Sequence, residues 1–298
     1  MDLTNSIIDY RRYLKRRNLS AYTIRNYLNC LKQFLAWLKV PIELATHQEI
    51  SRYIEWLQQK RKHPKTITCQ LTALRNFYNF LHYEEGISVQ NPVRTGCALR
   101  LPKPLPRYLK DEEVEKLFAS VNKRRDKAMF MLMLRCGLRV AEVAALTIDA
   151  VEQKRKRLLV QNGKGGKDRI VYLSNDALSA LNDYLKARPA STSQQVFLVE
   201  KGTCRGRPIS VRGIQKRIEY YAKKADVAAS CHQLRHTMAT QMLNVDADLS
   251  TIQDLLGHSK ITTTQRYCKV SNVKVERDYN KAMDLVLQKS NHPFLRRH

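Results

Sequence analysis

Ser230-Cys231-His232-Gln233-Leu234-Arg235-His236 opens the stretch around which the chain is organised, and Leu255-Leu256-Gly257-His258 and then Tyr267 close it. Ser230 followed three residues later by Gln233 has capping-box spacing, so a helix starts here with His232 and Arg235 in its first turn. At i and i+3 these two side chains face the same way. Leu234, Met238 and Met242 recur every fourth residue and bury the opposite side. A guanidinium and an imidazole beside the free N–H groups of a helix N-terminus make a site for an anion such as phosphate. Leu249, Ile252, Leu255 and Leu256 mark a second amphipathic helix, capped by Gly257. His258 then falls on the turn and Tyr267 on a short segment after it. A phenol with a pKa of about 10 is a useful nucleophile at neutral pH only where cations stabilise the phenolate and the phosphorane it forms.

Upstream, helical patterns cover 210–225 and 176–187, and the composition changes over 148–173. There Arg157-Leu-Leu-Val-Gln-Asn and Asp168-Arg-Ile-Val-Tyr-Leu read as two short strands, joined by the Gly-rich tip Gly163-Lys164-Gly165-Gly166-Lys167. A phosphate-binding P-loop is excluded, because Asp168 stands where Ser or Thr must bind magnesium and a strand follows instead of a helix. The tip lysine suits a groove contact, proton donation to a leaving oxygen, or a plain solvated turn. Helices are also expected over 111–121 and 128–135, the second broken by Gly137. Arg139 then opens another helix, at an end where a cation opposes the dipole unless an anion offsets it.

Residues 1–95 read as four helices with no strand signal, hence a small all-α bundle. Its apolar lines are Ile7, Ile8 and Leu14; Ile24 to Leu38; Ile50, Ile54 and Leu57 behind the capping box Thr46-His47-Gln48-Glu49; and Ile67 to Leu81 after His63-Pro64. Residues 96–107 carry three prolines at alternate positions and read as a stiff connector. The second domain is 108–298, with a tail from about 272 whose Ala282, Leu285 and Val286 share one face and suit docking elsewhere. The expected fold is therefore mainly α with a small β-hairpin or sheet, an N-terminal helical bundle preceding an α+β domain.

The 298 residues carry a formal charge of +26, of which residues 1–96 contribute +8 and the remainder +18. Both parts being basic favours a polyanion held from two sides. No apolar run approaches the ~18 residues of a membrane span, and the N-terminus lacks a signal-peptide layout, so nucleic acid is the expected partner and the cytoplasm, in association with the nucleoid, the expected location. Seven scattered cysteines form no C-x-x-C pair and no zinc pattern, which fits unpaired thiols in a reducing compartment.

Arg139 in Gly-Leu-Arg-Val-Ala-Glu, Lys164 in the hairpin, His232-x-x-Arg235, Leu-Gly-His258 and Tyr267, in that order, resemble the tyrosine site-specific recombinases, or phage-integrase family, with Xer-like and transposon-borne members most similar. The resemblance spans nearly the whole chain. It implies that Tyr267 attacks a DNA phosphodiester to leave a 3′-phosphotyrosyl link and a free 5′-hydroxyl. It further implies that Arg139 and Arg235 clamp the non-bridging oxygens, His232 assists proton movement at the tyrosine, His258 hydrogen-bonds the phosphate, and Lys164 protonates the departing 5′ oxygen. Neither metal nor ATP is implied, since arginines take the metal's part and the covalent link keeps the bond energy for rejoining. Double-stranded DNA with inverted-repeat sites and a homotetramer on two duplexes (a monomer or weak dimer off DNA) are the implied partners, together with a second recombinase or accessory protein as a further candidate. Lys110, where the family often has a Ser or Thr helix cap, and Cys268 after the tyrosine depart from the pattern without touching the six chemical positions. Two rivals share part of this residue set: a type IB topoisomerase-like nicking-closing enzyme, and a DNA-binding accessory protein with no chemistry. The separate basic helical domain and the tail favour recombination over the first, and the complete residue set favours it over the second.

Overall fold

A computed structural model describes residues 2–97, 99, 106–161, 168–258, 261–268 and 272–289. The chain forms two compact units, Met1–Lys103 and Pro104–His298. Most of the proline-rich connector and the whole Gly-rich hairpin tip, Lys164 included, lie outside the described residues.

The first unit is built from α1 (Leu3–Arg16), α2 (Ala21–Trp37), α3 (His47–Gln59) and α4 (Pro64–Tyr83). Each start has a local chemical cause. Asp2 accepts from the N–H groups of Thr4 and Asn5, and Ser20 from that of Thr23. Thr46 and Glu49 complete the expected capping box, with Glu49 accepting the Thr46 N–H at 2.9 Å, and Pro64 opens α4. The core holds Phe34, Ile50, Tyr53, Leu57, Ile67, Leu74, Phe77 and Tyr78, all fully buried. Two of its phenols are satisfied internally, Tyr53 by Gln70 and Tyr78 by the Ile42 carbonyl. On α1 the buried line is Ser6, Tyr10 and Leu14, whereas Ile8 points to solvent at 45% exposure. Tyr10 takes the inward position because its ring meets Phe77 edge-on at 5.0 Å, a larger burial than an isoleucine offers.

The second unit runs α5 (Asp111–Ser120), α6 (Arg124–Arg135), α7 (Val140–Ala145), β1 (Val151–Glu152), β2 (Arg157–Val160), β3 (Arg169–Tyr172), α8 (Asn175–Ala187), α9 (Val211–Lys224), α10 (Cys231–Asn244), α11 (Leu249–Leu256), α12 (Ile261–Cys268) and α13 (Asn272–Lys289). Its central element is α6, in which every residue from 128 to 134 is buried. A helix apolar on all sides must be surrounded, and α7, α8, α9 and α10 pack around it. The strands form an antiparallel sheet in the order β1-β2-β3, with Leu158 opposite Val171 on the buried face and Leu159 opposite Ile170 on the outer one. Asp126, fully buried, ties α6 to α9 by accepting from Arg125 and from Arg217 at 2.7 Å.

Several features differ from the sequence expectation. The sheet has a third strand, β1, two residues long and too short to show alternation. Tyr267 lies in a helix, α12, instead of a short segment. Only half of the Ser230 capping box forms. Ser230 Oγ accepts the Gln233 N–H at 3.3 Å, but the Gln233 side chain donates to the Ala228 carbonyl. At Lys110 the surviving half is the other one, with Glu113 accepting the Lys110 N–H at 2.8 Å. Gly137, at φ +64°, ends the α6 segment where an added Cβ would sit 2.9 Å from Leu256 Cδ2, so helix termination and close packing against α11 both require glycine.

Candidate active site

The C-terminal end of α11 gathers the site. Helix ends leave their last carbonyls without intrahelical partners, and the negative end of the dipole favours cations. Here three successive carbonyls each receive a guanidinium from a different element. Arg169 Nε on β3 donates to the Leu255 carbonyl at 2.8 Å, Arg235 Nη2 on α10 to that of Leu256, and Arg139 Nη2, at the start of α7, to that of Gly257 at 3.0 Å. Arg235 Nη1 also donates to the Gly137 carbonyl. The expected dipole penalty at Arg139 is thereby removed, because its guanidinium serves the favourable end of another helix.

One carboxylate, Glu142, balances this group. Its Oε2 accepts the Arg139 N–H at 2.7 Å and Arg169 Nη2 at 2.7 Å, while its Oε1 accepts Arg139 Nη1 at 2.8 Å and Arg169 Nη1 at 2.9 Å. Burial works to raise the pKa of Glu142, but the Arg169 hydrogen bonds, the Arg139 N–H and the adjacent charges outweigh it and bring it down to about 2. Three guanidiniums against one carboxylate leave a net positive site. Burial, then the proximity of Arg139, lowers the pKa of Arg235 to about 9, which still leaves it protonated at neutral pH.

Tyr267 and the histidines complete the cluster. The phenol oxygen is hydrogen-bonded to His236 Nδ1 at 2.7 Å, and the His232 ring stands edge-on to that of His236 with centroids 4.1 Å apart. His258 lies parallel to the Tyr267 ring at 6.4 Å and is held through Nδ1 by Thr264 Oγ1 at 2.9 Å. Burial, followed by the charges of Arg235 and Arg139, depresses the His258 pKa to about 4, so its imidazole is neutral at pH 7. Tyr267 is 1% exposed and Arg235 2%. The second value departs from the sequence reading, in which Arg235 faces an open anion site; its donors are engaged by buried backbone carbonyls instead.

Arg139, His232, Arg235, His258 and Tyr267 thus lie in one constellation, and Lys164 is outside the described residues. Sequence reasoning gave no role to Glu142, Arg169, His236 or Thr264. Glu142 had a signal, three residues after Arg139 at capping-box spacing, and His236 had one at i+4 from His232. Among the described residues no group of three or more His, Cys, Asp or Glu side chains is placed to hold a metal ion.

The depressed pKa values of His258 and Glu142 set an acid limit on stability. His258 titrates near 4 in the fold against 6.5 for a free imidazole, so the unfolded chain takes up that proton first and stability falls as pH drops from about 6.5 to 4. The Glu142 contribution is present above about 4.5 and is lost as pH falls towards 2. Thermal melts of His258→Gln should therefore show a flatter decline than the native chain between pH 6.5 and 4. Parallel curves would mean that His258 is not buried beside the arginines.

The model for the phage integrase family matches residues 107–273, and that for the phage integrase N-terminal SAM-like domain matches residues 7–85. The chain belongs to the phage integrase family. Tyrosine recombinase XerA of Pyrococcus horikoshii is 31% identical over 284 residues, covering 94% of this chain and 95% of that protein. Tyrosine recombinase XerC of Bacillus subtilis is 32% identical, covering 88% and 90%. Among solved structures, the crystal structure of XerA recombinase aligns with a TM-score of 0.55 at 27% identity, covering 93% of this chain and 98% of that one. A lambda integrase dimer bound to a COC′ core site aligns at 0.74 and 19% identity, covering 92% and 96%, and shares the fold. As a phage integrase family member, this chain is a tyrosine recombinase, an enzyme of site-specific DNA strand breakage and rejoining, as its sequence resemblance implied. Neither the topoisomerase-like nor the accessory-protein reading finds support among these relatives.

Proposed function

We propose that Tyr267 is the nucleophile, displacing the 5′ oxygen of a DNA phosphodiester to leave a 3′-phosphotyrosyl bond. Arg139 and Arg235 hold the non-bridging oxygens and stabilise the charge that grows in the phosphorane. His258, neutral at working pH, hydrogen-bonds the phosphate. His232, edge-on to the His236 ring that meets the phenol, assists proton movement at the tyrosine. Lys164 protonates the departing 5′ oxygen. The observation that carries this reading is the convergence of a buried phenol and the guanidiniums of Arg139 and Arg235 on the end of one short helix, α11.

The burial of Tyr267 and Arg235 supports a site that is shut without DNA and opens as a phosphate competes with the Leu256 and Gly257 carbonyls for the same N–H donors. Residues 1–95 and 108–298 act as two basic clamps on one duplex, joined by the 96–107 connector. Four copies on two duplexes bearing inverted-repeat sites form the working assembly, with the segment from about 272 packing on a neighbour. Lambda integrase, which has the same fold, has been solved as a dimer on a core site and as a tetramer on a Holliday junction. Within the cell the chain sits on the nucleoid; among the described residues no helix is long and apolar enough to cross a membrane.

The decisive test uses a nicked duplex bearing a sequence that the protein selects from a random pool. The nick lets the short 5′-hydroxyl strand escape, so cleavage accumulates as a denaturant-resistant protein–DNA adduct, and no adduct would reduce the protein to a binder. Affinity should also fall steeply with salt. Six to ten phosphate contacts predict a log–log slope of roughly −5 to −9. A slope near zero would assign the +26 charge to some other purpose.

A further inference from the structure

Arg169 is the one guanidinium of the cluster to which the proposed chemistry gives no task. It opens β3 at the loop end of the β2–β3 hairpin, 27 residues from Glu142 and 86 from Leu255 in sequence, and its side chain is 10% exposed. Both of its terminal nitrogens are spent on the two oxygens of Glu142, and its Nε on the Leu255 carbonyl. Its charge is therefore neutralised where it stands.

Arg139 differs. Of its five N–H donors one goes to Glu142 and one to the Gly257 carbonyl, which leaves three without a hydrogen bond among the described residues, on a side chain 26% exposed. Glu142 is the nearest competitor for those donors, and a planar carboxylate takes a guanidinium in a two-pronged grip when both its oxygens are available. Arg169 makes them unavailable. The Glu142 acceptor sites are filled by two bonds from Arg169, one from the Arg139 backbone and one from the Arg139 side chain.

We infer that Arg169 is a positioning residue for strand cleavage, occupying Glu142 so that Arg139 keeps donors for the scissile phosphate. Its Nε holds the Leu255 carbonyl in the same stroke, fixing the helix end from which His258 and Tyr267 follow. The close fit at Gly257, where an added Cβ would meet Arg169 Cδ at 3.1 Å, shows how tightly this side chain seats against the turn. The inference rests on the proposed role of Arg139 as a phosphate ligand.

A helix cap and a charge-occupying residue respond differently to removal of Glu142's charge. In Arg169→Gln, single-turnover cleavage of the nicked duplex should fall about 30- to 100-fold while DNA affinity stays within about twofold, as for a group acting only in the transition state. Adding Glu142→Gln, which keeps an acceptor for the Arg139 N–H but not the competing charge, should restore cleavage about tenfold or more over R169Q alone, a strong non-additivity. A double variant no faster than R169Q would reduce Arg169 to a helix cap and overturn the inference, and so would an R169Q enzyme that cleaves at the native rate. If R169Q does not fold, the same comparison is made between R169K and R169K/E142Q, with the same direction expected and the same result overturning it. A native protein that forms no adduct overturns the recombinase reading of the site, and the inference with it. A native protein that forms the adduct beside an unimpaired R169Q overturns the inference alone.

Discussion

Tyr267→Phe should form no covalent adduct with the nicked duplex, a loss of at least about 10⁴-fold, while binding the same DNA within about twofold of the native affinity. The substitution removes one oxygen, the only atom proposed to bond to phosphorus, and leaves the ring. The phenyl group still fills its place against Met238, Leu243, Ile252 and Leu256 and still faces His258. Stability should fall by about 1–3 kcal/mol, because His236 Nδ1 loses its 2.7 Å partner in a half-buried setting. That cost is read separately by thermal melting, so loss of chemistry is not confused with loss of fold. An adduct persisting in the Phe variant would move the nucleophile to another residue.

Arg235→Lys should lower cleavage by about 10²- to 10³-fold, a typical cost of removing one fixed donor from a developing oxyanion. Charge is conserved in this change, so shape decides the outcome. A planar fork reaches the Gly137 and Leu256 carbonyls together, whereas an ammonium on a flexible stem does not span both. One or both carbonyls are left unsatisfied at a buried position, at about 1–3 kcal/mol each. Affinity for duplex DNA should change little, since Arg235 is 2% exposed and contributes little to the surface field. Cleavage within tenfold of native, accompanied by a lowered melting temperature, would make Arg235 a purely structural residue.

The architecture was legible wherever local chemistry marks a boundary. Thr46 with Glu49, Pro64 and Gly257 announce helix ends through local chemistry, and the four-residue spacing in α4 and α10 follows from helix geometry alone. Elements held by distant packing were less visible. Residues 261–268, Ile-Thr-Thr-Thr-Gln-Arg-Tyr-Cys, are rich in β-branched side chains of low helix propensity. They are helical because Thr264 and Tyr267, one turn apart, are buried beside α10 and α11. The site shows the same division. The order Arg139, His232, Arg235, His258, Tyr267 is a pattern in residue types, and so was readable. What those arginines rest on is a set of backbone carbonyls, which every residue possesses and no sequence pattern singles out. Arg169 looked like one more alternating residue of a strand because its partners lie far along the chain. Arg235 looked exposed because a guanidinium is seldom buried without a carboxylate of its own.

The confinement of the Tyr267 hydroxyl has a consequence for a molecule away from its target. On the proposed role of Tyr267, a nucleophile kept out of solvent has no electrophile to meet, so a copy diffusing alone carries no latent nuclease and its phenol is shielded from phenol-directed reagents. Reactivity would then be acquired only together with a substrate that forces entry, before any question of sequence preference arises.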